Sequence, residues 1–296
     1  MRKTSYFFVM DGPGFQSAAV LLATSLRMQM GEDVEIIAYV PEHNSKGFAR
    51  APEIMLELLR IDVRTMRTDH VAWAEPYPHG NKIIACCEPR SCELSVFLDT
   101  DMICARPLDF SDVPDEPCLF AVPEGVPTWG IDPGDWETAY AVLDLPLPAE
   151  RMFLVRPPYF RSLPYLNAGL VGFHENLDGG NRLPELWLDT ALRLDRDDRV
   201  TQKRPWLDQI ALPIAARRAG AALHVLPESY NYSLFRRTQA EQAVKPHIAH
   251  YHMPAHYRQW ACCRAVTERA LALCPERKRS HLRRHLGVFL RGIETE

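Results

Sequence analysis

Apolar and polar residues follow two different periods along the first third of the chain. "SYFFVM" (5–10) is a continuous apolar run that ends at the turn signal "DGPG". In "FQSAAVLLATSLRMQMG" apolar positions recur every three or four residues. This places Ala18, Leu21, Leu22, Ser25 and Leu26 on one helical face, with Gly31 past its end. "VEIIAYVP" (34–41) is β-branched and stops at proline, "PEIMLELLR" (52–60) returns to helical period, and "IDVRTM" (61–66) is strand-like. A helix is predicted around "NKIIACCE" (81–88), then a strand in "LSVFL". Strands alternating with helices predict an α/β chain of βαβ units with a mostly parallel central sheet flanked by helices. Buried parallel strands read as unbroken apolar runs, as Val96-Phe97-Leu98 does.

That last run drives straight into Asp99 and Asp101. Open α/β sheets bind ligands beyond the carboxyl ends of their strands. In extended backbone residues i and i+2 share a side, so the two carboxylates are expected to point the same way. At about 4 Å they repel by ~4 kcal/mol at an effective dielectric near 20. A divalent cation converts that repulsion into attraction, and Mg²⁺ or Mn²⁺ commonly links such carboxylates to substrate phosphates. The metal reading is preferred to a pair of solvated aspartates opening a loop.

Bulk properties narrow the function. The 296 residues are 47% hydrophobic, as expected of a soluble globular protein, and the net charge of −4 creates no global field toward nucleic acid or a membrane. The apolar run in "MRKTSYFFVMDG" is too short for a signal peptide, and no run approaches the roughly 18 residues that span a bilayer. Eight cysteines form no Cys-x-x-Cys pair, which argues against structural zinc. Reduced thiols and a cytoplasmic location are expected.

From residue 5 to about 260 the chain resembles, in ordered blocks, nucleotide-sugar glycosyltransferases of the GT-A (Rossmann-like) fold. It is most similar to retaining family 8, which includes glycogenin and bacterial lipopolysaccharide galactosyltransferases. Phe15, ahead of Ser25-Leu26, matches an aromatic that stacks on uracil. Lys82 stands 17 positions before Asp99, as does a donor-binding basic residue. "FLDTD" matches the metal strand, and "YLNAGLVGF" (165–173) matches a strand whose Asn167 and Gly169 would face the sugar. "WLDQIAL" (206–212) matches a helix start near the transferred sugar, and "LPESYNY" (226–232) a segment after it. "HIAHYHMPAHYRQW" (247–260) resembles the closing His-Phe-x-Gly-x-x-Lys-Pro-Trp without its glycine and Lys-Pro.

The resemblance implies a hexosyltransferase using a UDP-sugar with Mn²⁺ or Mg²⁺, retention at the anomeric carbon, and a glycan or lipid-linked acceptor. It implies Asp208, Gln209 and Asn167 at the sugar. Asp11, Phe15, Lys82, Thr100 and Gly169 would bind the donor, with His256 or Arg258 replacing the missing phosphate-binding lysine. Asp99 and Asp101 would hold the metal with a histidine of the closing segment. His250 is favoured because it follows the short apolar "IA" strand and precedes an aromatic, 10 positions before Trp260; His252 is the runner-up. Nitrogen ligation favours Mn²⁺.

Other readings stay open. A haloacid dehalogenase-type phosphatase or phosphomutase also places Asp-x-Asp after a strand, and a degenerate transferase could persist as a carbohydrate-binding subunit. Phe15 could be a helix-entry staple, Lys82 a surface lysine, and Asn167-Ala168-Gly169 a turn. Trp129 and Trp136 could stack on an acceptor sugar, but core packing is preferred for both, and "LDRDDR" (194–199) is expected at a solvated helix end. The catalytic domain is expected over 1–260, with a short helical C-terminal extension over 261–296. There Leu282, Leu286, Phe289 and Ile293 share a face within a basic sequence. That face could lie on the inner side of an anionic membrane, but packing on the catalytic domain is preferred.

Overall fold

The computed structural model describes residues 2–175, 182–238 and 241–291. Its strands are β1 (Thr4–Val9), β2 (Glu35–Pro41), β3 (Asp62–Met66), β4 (Leu94–Leu98), β5 (Met102–Cys104) and β6 (Cys118–Pro123). They continue as β7 (Met152–Phe153), β8 (Arg161–Ser162), β9 (Leu166–His174), β10 (Ala222–Val225), β11 (Tyr232–Ser233) and β12 (Ile248–His250). The helices are α1 (Gln16–Met30), α2 (Arg50–Leu58), α3 (Gly80–Cys87), α4 (Pro133–Ala141) and α5 (Leu183–Arg196). They continue as α6 (Leu207–Arg218), α7 (Pro254–Gln259), α8 (Ala261–Leu273), α9 (Glu276–His285) and α10 (Gly287–Leu290). Every element expected between residues 5 and 98 is present, and the fold is mixed α/β with a mainly parallel sheet flanked by helices.

The chain forms two compact units. The first comprises Met1–Thr4, Arg67–Phe97 and Ser111–Glu228. Its strands run in the order β10-β6-β9-β4, with β10 parallel and β9 antiparallel to β6. Strand β9 is apolar almost throughout because both of its faces are covered. Gly172 is needed there, since a Cβ would meet the Phe120 ring at 1.8 Å. Trp129 and Trp136 are buried and meet edge to face at 5.0 Å, as core residues. The helix end at "LDRDDR" is less solvated than its charges suggest. Asp195 is buried because Arg204 folds back to donate to it at 2.6 Å, and the Ala74 amide donates at 2.6 Å.

The second unit comprises Ser5–Met66, Leu98–Phe110 and Ser229–Glu296. Strands β1, β2 and β3 are parallel neighbours, and a second sheet has the order β11-β12-β5. Helix α1 buries Ala19 to Leu26 and ends at Gly31, whose φ of +81° favours glycine. The helices after residue 260 belong to this unit. Leu282, Leu286 and Phe289 are buried, with Phe289 against Tyr251 at 5.8 Å and Tyr257 at 5.0 Å. The apolar face considered for a membrane is therefore already covered; Ile293 lies outside the described residues. Among the described residues no helix is long and apolar enough to cross a membrane.

Candidate functional site

Two groups of polar side chains, one in each unit, contain most of the residues singled out in the sequence.

In the second unit β4 ends at Leu98 and the chain turns through Thr100 and Asp101 before β5. The expectation of an extended segment from Asp99 to Asp101 is thus corrected. Beyond the turn, β5 pairs antiparallel with β12, His250 opposite Met102. The Tyr251 amide extends that pairing by donating to the Asp101 carbonyl at 3.0 Å. His250 Nε2 then lies 3.2 Å from Asp101 Oδ1. His250 is buried, and its Nδ1 meets Asn231 Oδ1 at 2.9 Å. An amide oxygen only accepts, so Nδ1 carries a hydrogen in this arrangement and Nε2 is the atom turned to the carboxylate. Two electron-rich atoms at that distance need a proton or a cation between them. Their separation is near the ~3 Å between adjacent ligands of an octahedral ion with bonds of about 2.1 Å.

His252 completes the group. Its ring centroid is 3.8 Å from that of His250, its Nε2 meets Ser233 Oγ at 2.8 Å, and its φ of +56° turns the chain so that both rings share a side. Asp101, His250 and His252 each offer a ligand atom within 4.8 Å of the others. Asp99 is not part of that set. The favoured histidine and the runner-up are both in it. Thr100 is buried, and its carbonyl accepts from the Tyr251 hydroxyl at 3.4 Å. One carboxylate and two imidazoles suit Mn²⁺ better than Mg²⁺.

The same unit holds the β1–α1 turn. Asp11 accepts from Asn44 Nδ2 at 2.5 Å, beside Gly12 at φ +91°. Phe15 is 46% exposed, so it is not a buried staple. His256 and Arg258 lie on α7 and are already engaged. His256 Nδ1 meets the Tyr251 carbonyl at 2.9 Å, and Arg258 donates to the Val288 carbonyl at 2.6 Å. Arg258 therefore ties down α10.

The first unit contains the other group. Asp208, 3% exposed in the first turn of α6, pairs with Lys82 Nζ at 3.2 Å through Oδ2. Its Oδ1 accepts from the Tyr77 hydroxyl at 2.9 Å, and its amide donates back to that oxygen at 3.0 Å. Burial, and then the Asp208 carboxylate, push the Tyr77 phenol far above its usual pKa, so it remains a protonated donor. Lys82 also donates to the Ala168 carbonyl at 3.2 Å in β9 and sits 5.5 Å from the Phe97 ring centre. It is thus a partly buried ion-pair partner and not a surface lysine. Asn167 and Gly169 lie inside β9, not in a turn. Asn167 Oδ1 accepts from the Gly169 amide at 2.9 Å, and its Nδ2 donates to Glu124 Oε2 at 2.8 Å. Gln209 Oε1 is buried and has no hydrogen-bond partner among the described residues. Sequence reasoning missed Tyr77 and Glu124, which carry no local signal. Asn231 stood inside a matched block, but its contact with His250 depends on the β11–β12 pairing.

A family model for the Rhodobacterales glycosyltransferase domain matches residues 6–220, more than half of the chain. No curated protein matches. Among solved structures, an active-site mutant of LgtC superposes with a TM-score of 0.54 at 14% identity, covering 93% of this chain and 99% of its own. Mouse xyloside xylosyltransferase 1 gives 0.52 at 12% identity, covering 84% and 97%. The bifunctional glycosyltransferase WbbM gives 0.58 at 12%, with this chain spanning 52% of it. At these identities the likeness is one of fold, GT-A.

Proposed function

The chain belongs to the Rhodobacterales glycosyltransferase family and is a glycosyltransferase; on that premise we propose that it moves a hexose from a UDP-sugar to a glycan acceptor with a divalent ion, Mn²⁺ in preference. The observation that carries the metal assignment is the facing of His250 Nε2 and Asp101 Oδ1 at 3.2 Å, with His252 alongside. Asp101, His250 and His252 would hold the ion, and Asn231 fixes the His250 tautomer. When bound, the ion stabilises the negative charge that grows on the leaving diphosphate. Asp99, one residue past β4, remains a candidate to complete the shell. Phe15 offers an exposed face for the uracil.

The Lys82–Asp208 group would act on the sugar. Both Asp208 oxygens are engaged, so this carboxylate is a fixed anion that orients Lys82 and the start of α6. Gln209 presents an unpaired Oε1 and Asn167 a rigid amide, and these two are assigned to the sugar. Retention follows from the resemblance to family 8. The phosphatase alternative loses its support with the family assignment.

Calorimetric titration of UDP with and without Mn²⁺ tests this reading. Wild type should bind UDP more tightly with Mn²⁺, and His250→Ala should lose that increment while keeping metal-free binding. UDP affinity indifferent to Mn²⁺ in the wild type would refute the metal assignment.

A further inference from the structure

The short hairpin β7–β8 in the first unit is unlike the rest of the surface. Phe153 is 65% exposed and Tyr159 56%, and Phe160 beside them is also exposed. Three large aromatics so placed within eight residues are a liability unless something covers them. Arginines are interleaved with them. Between residues 151 and 165 the sequence carries Arg151, Arg156 and Arg161 and no acid. The hairpin is rigidly built. Phe153 pairs across to Arg161, Leu154 donates to the Phe160 carbonyl at 2.9 Å, and Tyr159 donates to the Arg156 carbonyl at 2.8 Å. Tyr159 has a φ of +58°, a conformation that residues other than glycine seldom adopt.

Its anchorage gives it a meaning. The Val155 amide donates to the Glu124 carbonyl at 3.1 Å, and the Arg156 amide to the Gly125 carbonyl at 3.0 Å. Glu124 is the residue whose carboxylate holds Asn167. The hairpin is therefore fastened to the backbone at the group assigned to the sugar. We infer that the β7–β8 hairpin is the acceptor platform of this enzyme and that the acceptor is an anionic glycan, with uronate or phosphate groups. This rests on the assignment of Asn167 to the sugar side made above. Flat aromatic faces suit the apolar faces of sugar rings. The guanidinium fork suits a carboxylate or phosphate in a bidentate pair. Arg161, on the second strand and exposed, is the main candidate for the charge contact. A neutral glycan would leave the exposed Arg161 guanidinium unmatched, and a protein partner would leave the tie to Asn167 without a purpose.

The test is a glycan array carrying uronate-containing, phosphorylated and neutral oligosaccharides, probed with the full chain. Binding to anionic members is expected, at least tenfold above their neutral counterparts. Tyr159→Ala should lower all binding about tenfold, and Arg161→Gln should remove the preference for charge while leaving the neutral signal. Equal binding of neutral and anionic glycans, binding to none, or variants that match wild type would each overturn the inference. Uridine diphosphate binding with Mn²⁺ is measured in parallel on every variant. If it persists while glycan binding ignores the hairpin, the platform is wrong and the transferase reading stands. If wild type fails to bind UDP with Mn²⁺, that reading fails on its own account.

Discussion

Replacing Lys82 with methionine is the sharpest perturbation of the first unit. It removes the cation but keeps much of the aliphatic stem. Lys82 Nζ and Asp208 Oδ2 are 3.2 Å apart, with side chains 12% and 4% exposed. At an effective dielectric of 20 their attraction is about 5 kcal/mol. Stranding one partner of a buried pair costs about 3–5 kcal/mol. Asp208 keeps the Tyr77 hydroxyl, so the lower figure applies. A loss of ~3 kcal/mol corresponds to a fall of about 5 °C in Tm for a chain of 296 residues. The double variant Lys82→Met with Asp208→Asn should recover most of the loss, because no uncompensated anion remains in the interior. Differential scanning calorimetry and urea unfolding of the wild type, both singles and the double give the complete cycle. If Lys82→Met costs under ~1 kcal/mol, or if the double is worse than either single, the pair is not the buried electrostatic unit described here.

Three further outcomes are expected. Phe15→Ala should weaken UDP binding by about 1–3 kcal/mol in calorimetry without lowering Tm, since the ring is exposed and its value would lie in stacking on the base. Phe289→Ala should cost about 3–5 kcal/mol in chemical denaturation, while deletion of residues 276–296 should leave vesicle sedimentation unchanged and destabilise the second unit. Glu241 is held at a pKa of about 2 by the Thr238 amide and hydroxyl and by Arg237. A depressed carboxylate pKa gives stability that is present above its unfolded value of 4.5 and lost as the pH falls through 2, so Glu241→Gln should flatten acid unfolding in that window.

The elements legible in the sequence are those whose burial is continuous. β1, β2 and β4 announce themselves because their residues are covered on both sides, and α1 because one stripe repeats. The metal group was only half legible. The Asp-x-Asp signal and the late histidines stand out by residue type, but which carboxylate meets which imidazole is set by pairing between segments about 150 residues apart. Local extension does not hold from Asp99 to Asp101, because residues 100 and 101 form a turn. Asp195 was misjudged for a related reason. A charge run looks solvated until Arg204, on the far side of a turn, closes over it. Tyr77 and Glu124 are ordinary in sequence, and their roles exist only through partners in α6 and β9.

The interleaving of the two units along the chain has a consequence for biosynthesis. The first unit is complete in sequence at Glu228, although the second begins earlier, at Ser5. The second still lacks β11, β12 and the helices that cover Tyr251 and Tyr257. At about 5–20 residues per second, the stretch from Glu228 to Phe289 emerges over about 3–12 s. Through that interval α1 and α2 lack the helices α8 and α9 that pack on them, and Asp101 is present without His250 across from it. The nascent chain thus passes through a stage in which one unit can close and the other cannot, and the faces of α1 and α2 awaiting those helices are then the ones a chaperone would meet.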